Sequence, residues 1–176
     1  IPTGSFFQDK IKQAIAVRQD LGLINSEGQN TCRLVHAEGD GLPGLIVDYY
    51  DRVAVVQTHS LGMHRSLQWI IEALKTELND DLVGVYNKSA KVLRKNGHVT
   101  NLDAWVHGNA PEDWNAQEYG NAYIIDLIEG QKTGFFIDQR ENRLLLGQLS
   151  KGKKVLNTFS YTGGFSVSAL QGGATE

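Results

Sequence analysis

A length of 176 residues, with 41% hydrophobic and 21% charged residues, is that of one or two small globular domains. The formal net charge of −3 excludes a chain that binds nucleic acid through its overall charge, so any such contact must be local. A single cysteine excludes an internal disulfide framework, the five histidines lack the spacing of a zinc site, and no apolar run is long enough to cross a bilayer. We therefore expect a cytoplasmic protein without a metal or a membrane anchor.

The first half of the chain predicts a helix followed by a small antiparallel sheet. Apolar residues at helical spacing predict an amphipathic helix from Ser5 to Leu21, and Gly22 provides its end. Three strands follow at Thr31 to His36, Leu45 to Tyr49 and Val53 to Thr58, separated by segments rich in turn residues. We predict that these strands form a three-stranded antiparallel meander.

The next segment completes the pattern of an α+β domain. Apolar residues from Met63 to Leu78 recur at helical spacing, which predicts a helix that covers the meander. Short strands are predicted at Val83 to Tyr86, Ala104 to Val106 and Ala122 to Leu127, and Gly108 to Gly120 is loop-like. We divide the chain into a linker and helix at 1–29, an α+β domain at 30–118, and a further α/β segment at 119–176.

A dense motif from Glu129 to Arg143 precedes a helix that is expected to end near Leu149. Asp138 is suited to be the N-cap of this helix, and Glu141 would complete a capping box. The residues in front of it supply flexible backbone, a cation and a hydroxyl: Gly130, Lys132, Thr133 and Gly134. Because free N–H groups at a helix N-terminus bind carboxylates and phosphates, this combination indicates a ligand site.

A glycine turn near the end of the chain provides a second motif. Lys154 to Asn157 predicts a short strand of a buried parallel sheet, and a helix begins at Phe165. Between them, Gly163 and Gly164 allow the backbone to turn sharply and to approach a ligand without obstruction by a Cβ atom. Such a turn typically opens a nucleotide-binding α/β sheet that needs further strands and helices after it. Since the chain also begins without a methionine, both of its ends look cut.

Three segments in this order resemble one known family. Gly130 to Arg140 and Val155 to Ser166 resemble motifs of the bacterial large-subunit (23S) ribosomal RNA cytosine-5 methyltransferases, and Arg33 to Asp48 resembles the central domain of that family. The likeness runs from about Asn30 to the end of the chain. It implies a class I S-adenosylmethionine-dependent methyltransferase with a PUA domain, a central α+β domain and a catalytic domain. The chain would hold the central domain and the truncated start of the α/β Rossmann-like methyltransferase domain.

The resemblance also implies which residues bind S-adenosyl-L-methionine, the cofactor. The implied cofactor-binding residues are Lys132, Thr133, Phe136, Asp138, Gln139, Arg140, Asn157, Phe159, Ser160, Tyr161, Thr162, Gly163 and Gly164. The cysteine nucleophile of the family would lie beyond Glu176, so we expect no catalytic residue here and no activity from this chain alone. Cys32 has no evident partner that would lower its pKa, which favours a structural role.

Contact with ribosomal RNA is predicted at a local basic stretch. Its cations are Lys88, Lys91, Arg94 and Lys95. They could hold phosphates through contacts that are sensitive to salt, although a solvated surface is the alternative interpretation.

The sequence also allows two other functions and an assembly of two copies. A guanine-N7 methyltransferase would share the cofactor motifs without needing a cysteine, and a non-catalytic RNA-binding or interaction module would need no cofactor. The strand edge at Val155 to Asn157 could pair with a second copy, which suggests a homodimer.

Overall fold

The computed structural model describes residues 2–24, 26–95, 97 and 103–176. Its strands are β1 (Thr31–His36), β2 (Leu45–Tyr50), β3 (Val53–Thr58), β4 (Gly84–Asn87), β5 (Ala104–Gly108), β6 (Ala116–Glu118) and β7 (Asn121–Tyr123). Its helices are α1 (Gly4–Asp20), α2 (Leu61–Arg65), α3 (Leu67–Leu78), α4 (Ala90–Lys95), α5 (Arg140–Leu149) and α6 (Gly164–Gln171). Within these ranges, no helix combines the length and the hydropathy that a bilayer crossing requires.

The predicted meander is confirmed, and it belongs to a larger mixed sheet. Strands β1, β2 and β3 pair antiparallel in sequence order. Strand β4 then pairs parallel with β3, and β5 pairs antiparallel with β4. A parallel pair needs a long crossover connection, which α2 and α3 supply. The result is a five-stranded sheet that carries helices.

Helices α1 and α3 cover one face of this sheet. The apolar side chains that predicted α1 are buried there, apart from Leu21, which is exposed. The helix predicted from Met63 to Leu78 is instead divided into α2 and α3 at Ser66. Since serine competes for backbone hydrogen bonds and favours helix ends, an interruption at this position is consistent with its chemistry.

The other face of the sheet packs against the segment that follows β5. The buried side chains shared by the two are Tyr50, Val53, Val55, Tyr86, Ala116, Tyr123, Ile125, Leu127, Phe135 and Ile137. In this segment β6 and β7 pair as a hairpin. The expected division after residue 118 lies in the turn of that hairpin. Strand β7 ends at Tyr123, so it is shorter than the strand predicted from Ala122 to Leu127.

The strand predicted from Lys154 to Asn157 is not formed, although the whole segment is described. Three backbone bonds instead connect residues 152–155 with the residues after α6, the first from Gly152 N–H to the carbonyl of Gly173 at 2.8 Å. Val155 N–H donates to the carbonyl of Glu176 at 2.6 Å, and Thr175 N–H donates to the carbonyl of Lys153 at 2.8 Å. A strand requires a longer ladder of such bonds with a partner in register, which the local apolar pattern cannot specify.

Candidate cofactor site

The two motifs meet at a cleft of about 100 Å³ between the start of α5 and the glycine turn. The side chains and backbone that line it belong to Phe135, Phe136, Gln139, Arg143, Phe159, Ser160, Tyr161, Thr162, Gly164 and Phe165. Most of these residues are among those expected at the cofactor. The cleft therefore brings together two segments that are about twenty residues apart in the sequence.

The two glycines of the turn have different structural roles. Gly163 is the N-cap of α6 and has a φ of 74°, a left-handed conformation that favours glycine, and a Cβ there would have no heavy atom within 4 Å. Gly164 is buried, and a Cβ on it would lie 3.0 Å from Cδ of Arg143. Gly163 therefore provides a turn beside open space, whereas Gly164 provides close packing.

The N-terminus of α6 directly follows the left-handed Gly163. Among the described residues, no side chain caps this helix. The first N–H groups of a helix have no partner within the helix, and its dipole favours a negative charge at that end. This end of α6 is thus suited to bind a carboxylate.

Tyr161 connects the glycine turn to the preceding motif. Its hydroxyl donates to the carbonyl of Gly134 at 2.9 Å and accepts from the N–H of Gln131 at 2.8 Å. Its ring meets the ring of Phe136 edge-on, with centroids 5.4 Å apart. Tyr161 and Phe159 both have positive φ angles, of 51° and 60°. Backbone strain of this kind in residues other than glycine is concentrated at functional sites.

Lys132 and Asp138 lie outside the cleft lining, next to Phe136. The Lys132 ammonium is 4.5 Å from the centroid of the Phe136 ring and 3.7 Å from a carboxylate oxygen of Asp138. Burial alone would raise the pKa of Asp138, but a hydrogen bond from Gln139 and the charge of Lys132 outweigh it, so this pKa is lowered. Asp138 is therefore ionised at neutral pH, and its negative charge lies beside the Lys132 ammonium.

The predicted capping box on α5 is wrong. A short 3-10 turn occupies Ile137–Gln139, and the helix begins at Arg140 with Gln139 as its N-cap. The Glu141 carboxylate accepts hydrogen bonds from the Tyr119 hydroxyl and from Arg140. Because the 3-10 turn shifts the start of the helix past Asp138, neither carboxylate reaches the backbone donors of a capping box.

Thr133 is fully buried and lies behind the cleft. Its hydroxyl donates to Oδ2 of Asp48 at 2.6 Å and lies 2.8 Å from the Tyr50 hydroxyl. Arg33 donates two further bonds to Asp48, at 2.7 Å and 3.0 Å. Burial, reinforced by the charge of Asp48, raises the pKa of Tyr50. This network attaches the loop that contains Thr133 to strands β1 and β2.

Three other predicted residues also lie outside the cleft lining: Arg140, Asn157 and Gly163, which adjoins the lining residue Gly164. Arg140 points to a separate groove of about 400 Å³ that it shares with Cys32, Arg33 and Ile137. The Asn157 amide donates to Oγ of Ser166 at 2.9 Å, which ties the segment before the glycine turn to α6.

Three residues of the cleft were not predicted: Phe135, Arg143 and Phe165. Arg143 forms a buried ion pair with Glu118, with a shortest distance of 2.6 Å between their charged atoms. Arg143 is one of several polar residues in an amphipathic helix, so the sequence gives only a weak signal that this arginine is buried. Its partner is 25 residues away on another element, so the pair is invisible to a local pattern.

The predicted RNA-binding cations do not lie together. Nζ of Lys88 donates to the carbonyl of Gly130 at 2.6 Å, and burial lowers the pKa of Lys88. The other three, Lys91, Arg94 and Lys95, are exposed on α4. Lys88 thus connects the end of β4 to the loop before the cleft, whereas the α4 cations face solvent.

Cys32 is enclosed by the core at 1% exposure. Burial, together with the charge of Asp48, raises the pKa of this thiol from 9.0 to about 12. The thiolate is the reactive form of cysteine, so a thiol that stays protonated at neutral pH is a poor nucleophile. This environment supports the structural role expected for Cys32.

The helix-covered mixed sheet and the glycine-turn cleft agree with one class of enzyme. The family model described as S-adenosylmethionine-dependent methyltransferase matches residues 32–176, and the chain belongs to this family. S-adenosylmethionine is the cofactor of the family.

Two relatives within the family have the same name. The chain is 37% identical to ribosomal RNA large subunit methyltransferase I of Pseudoalteromonas atlantica over 96% of its own length and 42% of that protein. It is 38% identical to the protein of the same name from Aeromonas salmonicida, over 97% of its length and 42% of the relative. The chain therefore spans less than half the length of these relatives.

Solved structures show the same fold. A protein from Streptococcus mutans, provisionally assigned as a SAM-dependent methyltransferase, superposes with a TM-score of 0.84 at 28% identity, covering 99% of this chain and 44% of that one. A second structure, of a provisionally assigned methyltransferase complexed with SAH, gives a TM-score of 0.83 at 28% identity, covering 99% of this chain and 43% of that one.

Proposed function

We propose that the whole protein methylates large-subunit ribosomal RNA, and that the cleft described above holds the methionine part of S-adenosylmethionine. The names of the relatives support the substrate. The observation that carries the site is the left-handed Gly163, which lies beside open space at the uncapped N-terminus of α6 and next to Gly164 of the cleft lining.

The size and the chemistry of the cleft fit one part of the cofactor. Pockets for whole ligands of this kind occupy about 300–1,000 Å³. The cleft, at about 100 Å³, is too small for that, so the remaining walls must come from the rest of the longer protein. Backbone N–H groups at the start of α6 suit the carboxylate of the methionine part. When bound, the cofactor supplies an activated methyl group on its sulfonium.

We further propose that residues 30–118 form the central α+β domain of the family and that 119–176 begin its α/β Rossmann-like catalytic domain. The two parts are linked at the loop before the cleft. Thr133 bonds to Asp48 of β2, and the Gly130 carbonyl accepts from Lys88, which follows β4. These contacts give the sheet a direct role in placing the cofactor loop.

The proposed product is 5-methylcytosine. Carbon 5 of cytosine is a weak nucleophile, and a cysteine thiolate must add to the ring before it can accept a methyl group. Cys32 is buried and protonated, so the rest of the longer protein would supply this thiolate. N7 of guanine is itself nucleophilic, and a guanine-N7 methyltransferase stays the alternative product class. Nucleoside analysis of methylated ribosomal RNA by mass spectrometry separates 5-methylcytidine from 7-methylguanosine.

Cofactor binding is tested in the full-length protein by Gly163→Val. The substitution places a branched side chain in the open space beside α6, and we expect it to abolish binding of S-adenosylmethionine in isothermal titration calorimetry. Gly152→Val is a matched control, because Gly152 also has a left-handed φ, of 68°, and no heavy atom within 4 Å of its Cβ position.

Both valines should cost about 1–2 kcal/mol of stability through the left-handed backbone. The Gly163 variant alone should lose the cofactor. Equal cofactor affinity in the two variants would refute the assignment of this cleft. RNA binding by a wild-type protein that binds no S-adenosylmethionine would favour a non-catalytic RNA-binding module.

Two expectations about the whole protein stay proposals. We propose a cytoplasmic location, since ribosomal RNA is the substrate. The homodimer suggested by the edge at Val155 to Asn157 has no support from the relatives, and sedimentation of the full-length protein would test it.

A further inference from the structure

Arg143 is the buried residue of α5, and it contacts several other segments of the chain. Its residue exposure is 2%, and its guanidinium donates two parallel hydrogen bonds to the Glu118 carboxylate, at 2.7 Å and 2.6 Å. Glu118 lies on β6 and is buried to the same extent. A buried carboxylate and guanidinium in this two-bond geometry hold each other in a defined orientation.

The same side chain touches both walls of the cofactor cleft. On one wall, Nη1 donates to the carbonyl of Phe136 at 3.0 Å, and the guanidinium carbon lies 4.4 Å from the centroid of the Phe135 ring. On the other wall, Cδ lies 3.0 Å from the position that a Cβ on Gly164 would take. Arg143 therefore spans the distance between the loop and the glycine turn.

Polar contacts act together with packing to fix this arginine. A second cavity, of about 420 Å³, borders both Glu118 and Arg143, in addition to the cofactor cleft that Arg143 also lines. Arg143 packs against the Phe135 ring and Gly164, and its hydrogen bonds to Glu118 and Phe136 set the orientation of its guanidinium. The planar guanidinium can bind Glu118 and the Phe136 carbonyl at the same time, whereas the ammonium of a lysine cannot reproduce this fork.

We propose that Arg143 is a positioning residue for cofactor binding, oriented by Glu118 of the β6–β7 hairpin. It sets the separation between Phe136 and the glycine turn without touching the reacting atoms. This inference rests on the proposed function, because it concerns the same cleft. Its consequence is that loss of the fork weakens cofactor binding more than it slows the chemical step.

The test compares Arg143→Lys with Arg18→Lys in the full-length protein. Arg18 is a close match, since it donates two bonds to Asp40, at 2.5 Å and 2.8 Å, and a third to the carbonyl of Arg33, at 2.9 Å. It does not line the cleft. Steady-state methylation gives kcat and the KM for S-adenosylmethionine, and thermal unfolding gives the loss of stability in each variant.

We expect both variants to lower the melting temperature. Arg143→Lys should raise the KM for S-adenosylmethionine by about tenfold or more, with a smaller change in kcat, because a misplaced wall weakens positioning. Arg18→Lys should leave this KM unchanged. An unchanged KM in Arg143→Lys, or an equal rise in both variants, would show that the ion pair is merely structural and overturn the proposal.

Glu118→Gln provides a second, milder variant if Arg143→Lys does not fold. It keeps an acceptor for Arg143 but removes the charge, so we expect the KM to rise less than in Arg143→Lys. A wild-type KM in Glu118→Gln would then overturn the proposal. Failure of the proposed function is distinguishable, because in that case the wild-type protein itself would not bind S-adenosylmethionine.

Discussion

At the scale of single residues, Cys32 shows how an environment decides what a side chain can do. Burial holds its pKa near 12 in the folded protein, while the unfolded thiol ionises near its ordinary value of 9.0. A raised pKa means that folding favours the protonated thiol. This contribution to stability is fully present below about pH 9 and is lost as the pH rises toward 12.

We therefore expect the wild-type protein to lose stability relative to Cys32→Ala as the pH rises above 9. The difference in free energy of unfolding between the two, measured by urea denaturation at several pH values, reports this thiol because the other titrating groups are common to both. A constant difference from pH 8 to pH 10.5 would contradict the raised pKa. Full methylation activity in Cys32→Ala is also expected, and its loss in a folded variant would identify Cys32 as a reactive residue.

At the scale of elements, the loop that leads to the cleft depends on its bond to the sheet. Thr133→Val removes the hydroxyl that hydrogen-bonds Asp48 and Tyr50, and it preserves the size of the side chain. Because these partners are buried, we expect a loss of about 1–3 kcal/mol in the free energy of unfolding, measured by chemical denaturation. Thr133→Ser keeps the hydroxyl and is the control.

The serine variant should lose less, about 1 kcal/mol, since it removes one buried methyl group. If Thr133→Ser lowered the free energy of unfolding more than Thr133→Val, the packing of the Thr133 methyl group would contribute more than its hydrogen bonds. The network would then not be what anchors the loop to β2.

The elements themselves divide into those that a local pattern specifies and those that it does not. Helix α1 and strands β1 to β3 follow from periodicity and turn residues, and the structure has them nearly where they were predicted. The parallel pairing of β4 with β3 depends on residues far apart in the sequence. Such pairing leaves no local signal. Strand β6 was missed because it is three residues long and lies in the segment predicted as loop, whereas β7 overlaps the strand predicted from Ala122.

The candidate site divides in the same way. Resemblance to a family predicted the glycine turn and Phe136, which share a cleft in the structure. Thr133 and Arg140 come from the same motif, yet they face the buried network and a different groove. Which side of a loop a residue faces depends on backbone turns such as the left-handed Lys132, with a φ of 52°, and a residue pattern does not show them.

At the scale of the whole molecule, the net charge of −3 on this chain means that any contact it makes with an RNA backbone must be local. The exposed cations of α4, Lys91, Arg94 and Lys95, follow directly after Lys88 in the chain. Lys88 bonds the Gly130 carbonyl, in the loop that Tyr161 ties to the glycine turn. RNA held on α4 would therefore lie on an element that is joined to the cofactor loop through the buried Lys88.

Replacing Lys91, Arg94 and Lys95 together by alanine in the full-length protein should weaken ribosomal RNA binding and flatten its salt dependence. Each phosphate that the variant no longer binds should reduce the slope of log K against log salt by about 0.7–0.9, as counterion release requires. Fluorescence anisotropy with an RNA fragment at several salt concentrations measures this slope. A control triple variant, with Lys12, Arg65 and Lys75 changed to alanine, removes the same charge from α1, α2 and α3. If the two triple variants reduce the slope equally, the effect is one of net charge, and α4 is not the RNA-binding surface.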